Sequence, residues 1–160
     1  MIHDKIAMNS GVIFQHAYDI LSKKMQEGLV KKAIGNSGTS NKADLDVALF
    51  VPAVVNCSFA CELFIKAMLP QNTRGHKLND LFVLLDTDIQ ERIKNKTVEK
   101  MKNSIQTYSA TEFQTDLTNN GNIFAEWRYF HEGNTDTVNY QFISNLMKAT
   151  LDVVLEEYNK

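Results

Sequence analysis

Between Leu45 and Leu69 the chain carries Val47, Leu49, Val51, Val54, Val55, Phe59, Ala60, Leu63, Phe64, Ala67 and Met68, which leaves hardly any polar face. A helix apolar on nearly all sides must be wrapped by others, so this segment predicts the central helix of a multi-helix bundle. Pro52 either kinks that helix or marks its first turn. Pro70 lies just beyond its end, before the polar run from Gln71 to Gly75.

The rest of the chain repeats apolar residues at threes and fours. A first helix is expected from Asn9 or Ser10 to Ala33, with Ile13, Phe14, Ala17, Leu21, Met25 and Leu29 as its buried face. Gly35 would cap it, and a loop through Asn41 would follow. After the central helix come a short helix from Leu78 to Leu85 and a strongly charged one from Asp88 to Ser104. A further helix runs from Thr111 to Glu132, interrupted at Asn119-Asn120-Gly121-Asn122, and a last one from Val138 to Tyr158. With two prolines and no alternating β-branched run between hairpin signals, the expected class is all-α. The expected architecture is an antiparallel bundle of five to six helices, one domain over residues 1–160 with its core at about 9–158.

Composition removes several functions. An apolar share of 44% suits a globular core, and 17 basic against 19 acidic side chains give a net charge of −2. That balance argues against broad coating of DNA or anionic lipid. No run of about 18 apolar residues is evident and the N-terminus has no signal-like pattern, so the expectation is a cytoplasmic protein with no membrane partner. Cys57 and Cys61 sit four apart on one helix, where a disulfide is poorly oriented, and read as free buried thiols. With no zinc spacing, phosphate-cradling glycine loop, nucleophile elbow or acidic cluster, neither a metal nor a cofactor is expected.

Charged side chains on apolar helices are the informative ones. Glu62 and Lys66 form an i, i+4 pair on the central helix, where an unpaired charge is costly. The simplest account is a network of Glu62, Lys66 and Arg128 joining two helices. Arg128, His131 and Glu132 share a helix face by spacing. There Arg128 could hold a phosphate and His131 move a proton, or Arg128 could simply pair with Glu132 or Glu62. His76 opens a helix, where it could line a cleft or merely cap the turn, and Arg74 and Lys77 flank it as a small basic cluster. His3 and His16 have no partner pattern that suggests a metal site.

Three stretches, in order, carry a resemblance. They are Asn56 to Leu69 with its Glu62-Leu63-x-x-Lys66 element, Gly75-His76-Lys77-Leu78-Asn79-Asp80-Leu81, and Trp127-Arg128-Tyr129-x-x-Glu132. Together, over roughly residues 45 to 155, they resemble the HEPN family of helical-bundle domains common in bacterial defence and toxin–antitoxin systems. The resemblance implies a homodimer with a cleft where equivalent helices of two protomers meet. Active members are metal-independent ribonucleases that use an Arg followed, after four to six residues, by a His. Here His131 follows Arg128 after only two residues, position 133 is Gly133, and Tyr129 stands where active members carry a smaller polar group. The leading expectation is therefore a module that binds RNA, a nucleotide or a partner protein at the dimer cleft, its standard catalysis lost. In that reading Glu62, Lys66, His76, Glu132 and Asn56 flank the ligand. Two alternatives stay open: an endoribonuclease using Arg128 and His131, and a purely protein-binding scaffold.

Overall fold

A computed structural model describes residues 1–34, 40–129 and 137–160, without the side chains of Ser40, Asn41 and Ala43. The described residues form eight helices and no strand: α1 Lys5–Ala33, α2 Ser40–Ala48, α3 Phe50–Ala67, α4 Leu78–Phe82, α5 Thr87–Lys102, α6 Ala110–Asn119, α7 Ile123–Arg128 and α8 Tyr140–Tyr158. The all-helical expectation holds. The count exceeds five to six because the second helix breaks at Leu49 and the third long pattern breaks at the Asn-rich turn.

Helix α3 is the axis. Ala53, Val54, Cys57, Ala60, Cys61, Phe64, Ile65 and Ala67 are all fully buried, and α1, α4, α7 and α8 pack around it. Pro52 falls in its first turn, where the missing N–H breaks no helical hydrogen bond. By length and composition Asp44–Ala67 is apolar enough to cross a membrane, against the expectation that no such run exists. In this fold half of that stretch is buried by its neighbours instead.

Contacts fix the helix directions. Phe14 meets Phe59 edge-on with ring centres 4.6 Å apart, while His3 N–H reaches the Ala67 carbonyl at 2.9 Å, so α1 runs antiparallel to α3. Tyr18 pairs with Ser144 at 2.7 Å and Lys5 lies over the Tyr158 ring, which makes α8 antiparallel to α1 and hence parallel to α3. Helix α5 returns against α8 through Arg92 with Glu156 and Glu157, and Lys100 with Asp152. The bundle is therefore mixed, with one parallel pair at its centre.

Helix α1 begins at Lys5, earlier than Asn9, because Asp4 caps it: its carboxylate accepts from Ile6 and Ala7 N–H, each at 2.9 Å. Its buried positions are Ala7, Gly11, Tyr18, Ser22, Met25 and Gly28, whereas Ile13 and Leu29 are exposed. The expected buried face is thus only partly right. The reason is close packing: a Cβ on Gly11 would lie 2.6 Å from the Phe64 ring, so α1 presents its small residues to α3. Helix α4 ends at Phe82 rather than Leu85, and α8 starts at Tyr140 where Asn139 caps Phe142 N–H at 3.0 Å. Gly35, and the stretch Gly133-Asn134-Thr135-Asp136 that was expected to end a helix, lie outside the described residues.

Candidate functional site

Local sequence brings one short loop onto α7. After α3 the chain turns at Pro70, whose carbonyl accepts from Thr73 N–H at 3.2 Å, and Gly75 takes φ +106°, a left-handed value that side chains rarely adopt. Lys77 is extended, and Leu78 N–H donates to the Gly121 carbonyl at 2.7 Å. A Cβ on Gly121 would sit 2.3 Å from Asn79 Oδ1, so any larger residue there would push the Asn79 side chain aside. The same turn is held from its other side, where Asn120 accepts from Asn139 N–H at 2.9 Å and donates to the Asp116 carbonyl at 2.8 Å. The break expected at Asn119-Asn120-Gly121-Asn122 is thus a built joint between α6 and α7.

This joint sets His76 beside α7. His76 Nδ1 lies 2.9 Å from Glu62 Oε1, and Lys66 Nζ lies 2.8 Å from the same oxygen. The Glu62 side chain is 1% exposed, that of Lys66 19% and that of His76 63%. Glu62 Oε2 is also buried and has no hydrogen-bond partner among the described residues. An ionised carboxylate can only accept, so against one the imidazole donates from Nδ1 and leaves Nε2 toward solvent.

An aromatic shelf adjoins the pair. Phe124 stacks on Phe59 with centres 4.4 Å apart and planes 13° off parallel, and the His76 ring centre is 6.2 Å from Phe124. Arg128, one turn further along α7, holds its guanidinium 5.2 Å above Phe124 and 4.7 Å from the centre of Tyr129. Arg74, His76, Lys77 and Arg128 are all exposed. Phe124 itself is buried, so the arrangement offers cations and one imidazole over an aromatic floor, which suits a phosphate.

Glu62 and Lys66 pair as the sequence suggested, but His76 takes the place in the network expected of Arg128. The ion pairs of Glu62 run to Lys66 and His76, and Arg128 lies over Phe124 instead. His76 is thus the second side chain, with Lys66, on the buried acid. Asn56 stands away from the group, its amide donating to the Pro52 carbonyl one turn back at 2.7 Å. Helix α7 ends at Arg128 with Tyr129 as its cap, while His131 and Glu132 lie outside the described residues. Phe124, read from the sequence as an apolar helix position, is buried as expected, and it also carries the Arg128 guanidinium over its ring. Its i, i+4 spacing to Arg128 was the available signal.

The fold and this face together define an all-helical bundle with a cationic, aromatic-backed patch. No family model, curated protein or solved structure matches the chain.

Proposed function

We propose that the chain is a HEPN-like module that binds RNA, or a smaller phosphate-bearing nucleotide, on the face built by His76, Phe124 and Arg128. The observation that carries this reading is the exposed His76 held on the buried Glu62 beside the Phe124–Arg128 stack. Ligand phosphates would take Arg128 and the Arg74–Lys77 loop. A role in bacterial defence or a toxin–antitoxin system, and a second protomer completing the cleft, follow from the three-segment resemblance. Labelled single-stranded RNA should bind the wild-type chain with an affinity that falls as salt rises. Arg128→Ala and His76→Ala should weaken it several-fold with the fold intact. No affinity even at low salt would remove this reading and leave a protein-binding scaffold.

A second reading is favoured by the contact of His76 Nδ1 with Glu62 at 2.9 Å. With Arg128 on the phosphate, either His76 or His131 could take the proton of an RNA 2′-hydroxyl as that oxygen attacks phosphorus. The bond to the 5′-oxygen then breaks, leaving a 2′,3′-cyclic phosphate and, after protonation, a 5′-hydroxyl. Cleavage in EDTA lost in His76→Ala but kept in His131→Ala would assign the proton carrier to His76, and the reverse pattern to His131. Binding without cleavage would leave the module as a binder.

A further inference from the structure

A polar groove opens where α1, α5 and α8 meet. On α8, Gln141, Ser144, Asn145 and Lys148 recur at threes and fours, and on α1 Tyr18, Ser22 and Gln26 recur at fours, so each helix carries one polar stripe here. The stripes touch through hydroxyls: Tyr18 pairs with Ser144 at 2.7 Å, and Tyr140 donates to Ser22 at 3.1 Å. The two serines are too short to fill the crossing. Helix α5 stops beside it at Lys102, and Asn103 and Ser104 close the third side. The space left is about 360 Å³. That is the small end of the range for ligand pockets, about 300–1,000 Å³.

The chemistry of the groove is one-sided. Lys100 and Lys148 line it, and among the described residues no carboxylate does. Lys100 leans on Asp152 at 2.9 Å, a half-exposed pair that costs little to loosen. Lys148 is exposed and makes no ion pair among the described residues. The end of α5 and the start of α8 both meet the groove, and their opposite terminal charges offset, so the lysines set its sign. The floor also has bonding capacity to spare. Its two hydrogen bonds use two of the four hydroxyl hydrogens, and each oxygen has two lone pairs. Asn145 gives one amide hydrogen to the Met101 sulfur, a weak acceptor at 3.2 Å, and keeps its second. We infer that this groove binds a small phosphorylated polyol, its phosphate on Lys100 and Lys148 and its hydroxyls on the Tyr18–Ser144 and Tyr140–Ser22 pairs. A bare anion would leave the hydroxyls and amides idle, and a neutral sugar would leave the lysines idle. The groove shares no residue with the His76 face, so the inference stands apart from what that face binds.

The test titrates ribose 5-phosphate into the isotope-labelled chain and follows it by NMR. The side-chain amides of Asn103, Gln141 and Asn145 should shift together and saturate with a Kd below about 1 mM. Ribose should not saturate them, and inorganic phosphate should bind roughly tenfold more weakly. Lys148→Ala should weaken ribose 5-phosphate by about tenfold, with an unchanged thermal melt because the side chain lies outside the core. Tyr140→Phe keeps the ring and removes only the hydroxyl. It should weaken ribose 5-phosphate several-fold and leave inorganic phosphate as it was, a split that a hydroxyl serving helix packing alone would not give. Equal binding of phosphate and ribose 5-phosphate, indifferent to Tyr140→Phe, would mean an adventitious ion only. That outcome would overturn the inference. So would the absence of saturable shifts, binding indifferent to Lys148→Ala, or shifts confined to the surroundings of His76 and Arg128.

Discussion

His76, mostly in solvent, is tied at 2.9 Å to Glu62, which is almost wholly out of it. A buried carboxylate is tolerated only when cations and hydrogen bonds replace its water. Lys66 supplies the second replacement at 2.8 Å, from a side chain still partly wet. The pair therefore keeps α3, the following loop and the acid in one arrangement.

Breaking that arrangement from one side should cost more than removing it. Lys66→Met should destabilise the chain by about 2 kcal/mol, below the 3–5 kcal/mol of a fully buried pair, because His76 remains. Glu62→Leu added to Lys66→Met should recover most of the loss. Urea unfolding of the two variants decides it, and a neutral Lys66→Met would show that the acid does not depend on the lysine.

Gly11 is where α1 touches α3 most closely. Gly11→Ala should cost about 1–3 kcal/mol, since its Cβ would press on the buried Phe64 ring at 2.6 Å. In a chain already carrying Phe64→Leu the same change should cost clearly less. Equal losses in both backgrounds would place the strain elsewhere.

Acid should loosen the α5–α8 contact. The Glu157 carboxyl is held down to about 2, first by Arg92 at 2.5 Å, then by Lys160 and the chain's amino terminus. In the unfolded chain a glutamate titrates near about 4.3, so this stabilisation is complete above that value and is lost as pH falls through about 2. Allowing for solvent screening, it amounts to about 1–2 kcal/mol at neutral pH. Glu157→Gln should lower stability at pH 7 and flatten its fall between about pH 4 and 2 in thermal melts.

The two thiols should be silent in the native state. Burial pushes Cys61 up to about 12 and Cys57 well above its ordinary range, so neither forms thiolate near neutrality. A thiol reagent should react only as fast as the chain unfolds, with two equivalents taken up in denaturant. Rapid labelling of the folded chain would contradict this.

The parts legible in the sequence were those set by strong local chemistry. The all-round apolar character of residues 45–69 placed α3 at the centre, and Asn119 to Asn122 placed a joint. Glu62 beside Lys66 announced a buried pair. Helix α1 misled because its largest aliphatics face outward, while glycine, alanine and serine serve the close crossing with α3. The partner of Glu62 was misplaced because spacing along a helix cannot reveal a loop from elsewhere. His76 reaches Glu62 from the loop that ends where Leu78 N–H meets the Gly121 carbonyl.

The hydrogen bond from Leu78 to Gly121 joins two remote parts of the chain within a few residues of His76 on one side and Arg128 on the other. The imidazole and the guanidinium are therefore set on the two sides of one backbone joint, and a substitution in that turn, though it touches neither side chain, would bear on the placement of both.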